Sequence, residues 1–182
     1  MQKKAKGFTL TEILLVLVIA AAIVIAAFII YPKVQSSQRA QAEVDLVNTL
    51  RAGINSLYAG TPDYMSLNTD VIIQAKLVPE KMVSENGQLV NSFNGSIDVM
   101  PNFLDDDGSL GLITPNGYSI YYNGVPPQEC IKMISALAPN FKKIRVGENL
   151  ADVVVDGKLD IGLLATSCGK NSYNIIYFDS YM

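Results

Sequence analysis

From Phe8 to Tyr31 the chain is almost continuously apolar, and this stretch constrains the fold more than any other. About 20 apolar residues suffice to cross a bilayer as a helix, and this run exceeds that length. Lys3, Lys4 and Lys6 cluster just before it, whereas Lys33 and Arg39 follow more sparsely. That asymmetry places the amino terminus on the cytoplasmic side and the bulk of the chain outside. A cleaved secretory signal would show an apolar stretch of about 7–15 residues and then a small-residue cleavage site. Here Ala20, Ala21 and Ala22 lie in the middle of the run and no polar region follows them. Retention of the whole segment is the expectation.

One acid, Glu12, sits inside the run. A charged side chain deep in a membrane helix costs about 2.5–3.5 kcal/mol on insertion scales, and less near the interface. Two readings account for it. In one, Glu12 snorkels to the membrane surface; in the other, it has a partner.

Past the apolar run the composition is that of a globular domain within a chain of 182 residues. There is no histidine, which removes the commonest general base and metal ligand. No nucleophile-and-base set, phosphate loop or cofactor motif appears, so neither catalysis nor a cofactor is expected. The formal charge of −3 does not suggest a basic face for nucleic acid, and no nucleic-acid partner is expected. Cys130 and Cys168 belong to no C-x-x-C pair, and no metal site is expected of them. Outside the cytoplasm a disulfide between them is the default reading, with two unpaired core thiols as the alternative.

The spacing predicts one helix from about Phe8 to Ala59, bent at Pro32. Ala40, Val44, Val47, Leu50, Ile54 and Leu57 form a stripe at intervals of three and four, and Gly60 with Pro62 ends the pattern. Glu43 and Asp45 read as solvated helix positions, with a subunit contact as the alternative. A short helix is expected over Thr69–Lys76, capped by Asn68. Asn86-Gly87, Asn94-Gly95, Asn116-Gly117 and Asn123-Gly124 read as turns. Between and after them "SIDVM", "GYSIYYN", "KKIRVG", "ADVVVD" and "NSYNIIYFDSYM" read as strands. "PPQECIKMISALAP" reads as a single inserted helix with Ile131, Ile134 and Leu137 on one side. The fold class is therefore α+β: a long N-terminal helix, membrane-spanning in its first half, packed on an antiparallel β-sheet. Tyr118, Tyr121, Tyr122, Tyr173 and Tyr177 are expected to pack in that sheet. Asp105-Asp106-Asp107-Gly108 is the best calcium candidate, but Asp-Gly is a common hairpin turn, and the turn is the preferred reading.

Lys6-Gly7-Phe8-Thr9-Leu10-Thr11-Glu12, followed by the apolar run, resembles the type IV pilin family. The resemblance implies that a prepilin peptidase on the cytoplasmic side cuts between Gly7 and Phe8 and N-methylates Phe8. It divides the chain into a leader (1–7), a transmembrane and filament-core helix (8–32), and a globular domain (33–182) whose residues 33–59 are the amphipathic half of the helix. It matches Glu12 to the family's glutamate, which meets the amine of a neighbouring Phe8 or of its own chain. Pilins commonly close a carboxy-terminal region with a disulfide, the role implied for Cys130 and Cys168. "GVPPQEC", a helix after that cysteine and a final strand after Cys168 look like the type IVb group. The seven-residue leader and a mature Phe8 are more usual in type IVa pilins and pseudopilins, so the subclass stays open.

The expected function is a structural subunit, the major one, of a type IV pilus. Its partners would be copies of itself in a helical polymer, the prepilin peptidase and the pilus assembly machinery. It would be stored in the bacterial inner membrane and then carried to an extracellular filament. A minor pilin or type II secretion pseudopilin is the first alternative. A membrane-anchored binding module or adhesin that does not polymerise is the second. Adhesion, aggregation, conjugation, motility and secretion all remain open as tasks of the filament.

Overall fold

The structure is a computed structural model and describes residues 9–103 and 115–181. Its first element, α1, runs from Leu10 to Leu57. Between Ser37 and Gln38 the chain divides into two compact units.

In the first unit, Leu10–Phe28 has a mean hydropathy of 2.8 over 19 residues, and none of it is buried within the chain. At 1.5 Å per residue this stretch is about 28 Å long, close to the hydrocarbon thickness of a bilayer. It is long and apolar enough to cross a membrane.

In the second unit, α1 presents the expected stripe. Ala40, Val44, Val47, Leu50 and Ile54 are all buried. Leu57 is instead 46% exposed, and Tyr58 takes the inward place, its amide donating to the carbonyl of Ile54. Helix α2 spans Thr69–Gln74, with the Asn68 side chain accepting from the Val71 amide at 2.9 Å, the capping geometry expected there.

Seven strands form one antiparallel sheet: β1 (Leu89–Val90), β2 (Ser96–Asn102), β3 (Gly117–Val125), β4 (Lys143–Val146), β5 (Ala151–Val155), β6 (Lys158–Leu159) and β7 (Asn174–Tyr181). Their spatial order is β1-β2-β3-β7-β4-β5-β6. The last strand therefore enters the middle of the sheet and pairs with both β3 and β4. Helices α3 (Pro127–Leu137) and α4 (Ile161–Gly169) belong to the same unit. Strand alternation sorts the side chains: Tyr118, Ile120, Tyr122, Ile176 and Phe178 enter the core with the α1 stripe.

Three local expectations are corrected. Asn123-Gly124 makes no turn between strands; it lies inside β3, where the register shifts between Tyr122 and Val125 and Gly124 adopts a φ of +73°. Gly95 packs against this irregularity so closely that a Cβ there would meet the Asn123 carbonyl oxygen at 1.8 Å. In α3 the buried positions are Cys130, Met133, Ile134 and Leu137, while Ile131 is 37% exposed. A second inserted helix, α4, lies just before the last strand. Asp160 caps it, accepting from the Leu163 amide at 2.9 Å, and it buries Leu164 and Cys168.

Candidate functional site

Glu12 occupies the first turn of α1. Its carboxylate accepts from the Thr9 amide at 2.8 Å and from the Thr9 hydroxyl at 2.9 Å through the same oxygen, Oε2. The Glu12 amide faces the Thr9 hydroxyl oxygen at 3.4 Å and donates to the Thr9 carbonyl at 3.1 Å. Thr9 and Glu12 thus form a reciprocal capping box, in which orphan donors at a helix start are satisfied by the two side chains. Thr9 was not singled out by the sequence reading, although Thr-Leu-Thr-Glu carries the signature spacing of three. Gly7 and Phe8, the residues of the expected cleavage and N-methylation, lie outside the described residues, as does the candidate calcium loop Asp105–Asp107.

On the second half of α1 the structure overturns the expectation for Glu43. This residue is only 2% exposed. Its carboxylate accepts from the Ser92 amide at 2.7 Å, from the Ser92 hydroxyl, and from the Tyr122 hydroxyl at 3.1 Å. The physical reason lies in its position. Glu43 is three residues from Ala40 and four from Val47, so it falls on the inward stripe and must bring its own donors. Asp45 remains exposed and accepts from Gln41 Nε2 at 3.0 Å. Burial, reinforced by the neighbouring Glu43 charge, pushes the Tyr122 hydroxyl well above the ordinary tyrosine range. About three turns further along α1, Tyr118 donates to Asn55 Oδ1 at 3.1 Å, and burial pushes its pKa up to about 12. These two tyrosines clamp the helix to β3.

The opposite face of the sheet carries a second polar set. Asp179, with no exposure, accepts from Arg145 Nε at 2.7 Å, from Arg145 Nη2 at 3.0 Å and from the Ser119 hydroxyl at 2.5 Å. Arg145 also lies over the Tyr177 ring, 5.0 Å from its centroid, and Tyr177 packs edge-on against Tyr121. Burial lowers the Arg145 pKa, but its bond to Asp179 and that carboxylate's charge outweigh this and hold it above the ordinary value. The tyrosines expected in the sheet do pack there, apart from Tyr173, which is 66% exposed ahead of β7. Among the described residues no three His, Cys, Asp or Glu side chains gather where they could hold a metal ion.

Cys130 on α3 and Cys168 on α4 are joined by a disulfide, with Cα atoms 5.9 Å apart. Both are fully buried. The bond ties the two inserted helices together on either side of β4–β6 in the chain, and so closes the carboxy-terminal region as expected.

Comparison with known proteins joins these parts. A family model described as PilS N terminal matches residues 37–181, and the prokaryotic N-terminal methylation motif matches residues 2–28. The chain belongs to the PilS family of type IV pilins. It is 27% identical over 101 residues to the "major structural subunit of bundle-forming pilus" of Escherichia coli O127:H6 (strain E2348/69 / EPEC), covering 55% of this pilin and 52% of that protein. The same figures hold for the protein of that name in Escherichia coli O111:H-. The pilin thus spans about half the length of the curated relatives it matches. Its fold resembles a type IV b pilin from Salmonella typhi, with a TM-score of 0.61 and 23% identity over 78% of this chain and 99% of that one. It also resembles TcpA, a type IV pilin from Vibrio cholerae El Tor biotype, with a TM-score of 0.56 and 11% identity over 79% and 99% of the two chains. Pilins of this family and fold are structural subunits and not enzymes.

Proposed function

We propose that this pilin is the major subunit of a type IV pilus and polymerises through the first half of α1. The observation that carries the reading is the Leu10–Phe28 surface, which is apolar, wholly uncovered within the chain, and broken by a single acid near its start. Lipid covers such a surface before assembly, and neighbouring helices cover it afterwards. The methylation motif over residues 2–28 supports peptidase cleavage between Gly7 and Phe8 and methylation of Phe8. Residues 1–7 are then the leader, 8–32 the membrane and filament-core helix, and 33–182 the globular domain. The precursor waits in the inner membrane, and the assembly machinery moves it into an extracellular filament.

Within that filament Glu12 meets the amine of a neighbour's Phe8. A buried pair costs less than two isolated buried charges, and a single polar pair in an apolar bundle fixes register. Removing one partner of a buried pair costs about 3–5 kcal/mol, incurred by every subunit that joins. The test is intact mass of subunits from sheared filaments, together with filament yield from Glu12→Ala. The expected results are a mature chain starting at N-methylated Phe8, and filament yield reduced at least tenfold while cleavage persists. A chain starting beyond residue 20, or full filament yield from Glu12→Ala, overturns the reading. Detection of only a few copies per filament would instead make this pilin a minor subunit.

A further inference from the structure

Strand β2 pairs with β3 along one side, but on its other side β1 reaches only Ser96 and Ile97, which lie opposite Val90 and Leu89. Beyond Ile97 no strand among the described residues continues the ladder. An open edge of that kind invites a strand from another molecule. Along an antiparallel strand the N–H groups that face one edge recur at every second residue. On this edge the positions are Gly95, Ile97, Val99 and Pro101, and each is accounted for. The Gly95 amide donates to Asn91 Oδ1 at 2.9 Å. Ile97 lies opposite Leu89. The Val99 amide donates to the Thr69 hydroxyl oxygen at 3.0 Å, across 30 residues of chain. Pro101 has no N–H to offer.

We propose that α2 is a strap across the β2 edge, pinned by the Thr69 hydroxyl, and that it keeps the head from pairing with β2 of a second copy of this chain. The strap is fastened independently of its pin. Ile72 is fully buried, Leu67 is 2% exposed, and Asn68 caps the helix through the Val71 amide. Thr69, the first residue of α2, is thereby held where a neighbouring strand would place a carbonyl oxygen. The excluded occupant is a second copy because an open β2 edge is its own complement: two such edges pair antiparallel about a two-fold axis. Edge β6, at the far side of the sheet, is blunted more simply, being two residues long and carrying Lys158. Polymerisation through α1, as proposed above, would crowd heads together and make edge pairing a competitor. The strap lies wholly within the head, and it acts whether or not the chain polymerises.

The experiment compares full-length variants in detergent by sedimentation and reads the concentration at which half the chains are associated. Helix α1 is the same in all of them, so differences arise in the head. Thr69→Val removes the hydroxyl, keeps the shape and frees the Val99 donor. Across a two-fold axis each freed donor counts twice, so this concentration should fall about tenfold or more. In the associated form the Val99 amide should be protected from exchange again. Thr69→Ser keeps the hydroxyl and should stay within about twofold of wild type. Pro101→Val adds a donor to the same edge with the strap still pinned, and should lower the concentration about threefold. Asp160→Ala removes the cap of α4 and should leave association unchanged. A wild-type value for Thr69→Val overturns the proposal, and so does equal association of Asp160→Ala, since general destabilisation would then explain both. Association of Thr69→Val with the Val99 amide still exchanging freely overturns it as well, because the contact would lie elsewhere. Should Thr69→Val fail to fold, Pro101→Val decides, and a wild-type value for it overturns the proposal.

Discussion

Glu43 offers the sharpest test of how the head of the pilin is held. Its carboxylate receives three hydrogen bonds, from the Ser92 amide, the Ser92 hydroxyl and the Tyr122 hydroxyl. Glu43→Ala deletes all three and strands the Tyr122 hydroxyl, which has no exposure at all. Leaving a buried donor unsatisfied costs about 1–3 kcal/mol, and bonds to a charged acceptor are worth about 1.5–3 kcal/mol each. The better helix propensity of alanine returns only about 0.5 kcal/mol. The net loss is about 3–5 kcal/mol. For a domain of this size a loss of 1 kcal/mol lowers Tm by about 3 °C, so a fall of about 10–15 °C is expected. The chain has nine tyrosines and no tryptophan, so near-ultraviolet circular dichroism of the detergent-solubilised protein follows tyrosine packing directly.

The same site supplies an internal control. Tyr122→Phe alone removes a donor but leaves the carboxylate both Ser92 bonds, and should cost about 1 kcal/mol. In the Glu43→Ala background, Tyr122→Phe should be neutral or stabilising, because it removes the stranded hydroxyl. The two changes are therefore less than additive, with a coupling of about 1–2 kcal/mol. A fall of less than about 3 °C for Glu43→Ala, or strict additivity in the cycle, would refute the bonding scheme.

Two further outcomes follow from the head domain. Tyr118, pushed up to about 12 by burial, contributes stability that is fully present below the unfolded tyrosine value of about 10 and is lost as pH rises through about 12; Tyr118→Phe should flatten that alkaline loss, which denaturant melts at stepped pH will show. Replacing Cys130 and Cys168 together by serine frees a loop with a sequence separation of 38 and should cost about 4 kcal/mol, read as a lowered denaturation midpoint; alkylation of the native protein should find no reactive thiol before reduction.

What could be read from the sequence was what local physics encodes. The Ala40–Ile54 stripe follows from helical period alone, and Asn68 announces a cap, so both appear where the spacing puts them. The place of β7 could not be read this way. Its pairing with β3 and β4 brings together segments separated by long stretches of chain, and no residue in "NIIYFDSY" specifies which edges it will join. Helix α4 had a signal in Asp160, but a nine-residue apolar segment between strands reads equally well as another strand or a loop. Glu43 was misread for a different reason: its position was legible as inward, and its residue type was allowed to outweigh its position. A buried acid is recognised only once its donors are placed, and Ser92 and Tyr122 lie 49 and 79 residues away.

The amino-terminal segment inverts this balance. The head buries its apolar residues against itself, so its logic is tertiary and much of it is hidden from a linear reading. The first half of α1 buries nothing against its own chain, and on the function proposed above its constraints would come from lipid and from neighbouring copies. Such surroundings are apolar along most of the helix, so each residue reports on them directly: apolar side chains are at home and a charge stands out. That is why Glu12 raises its question from sequence alone. The structure adds where the carboxylate finds donors, for Thr9 supplies them within a single turn. Such a local bond satisfies one face of the carboxylate and leaves its remaining acceptor capacity for a cation from outside the chain. A fully enclosed network, such as Asp179 with Arg145 and Ser119, would leave nothing for a partner. The two acids differ in that Asp179 is closed in by its partners, whereas Glu12 keeps acceptor capacity that the proposed assembly role would use.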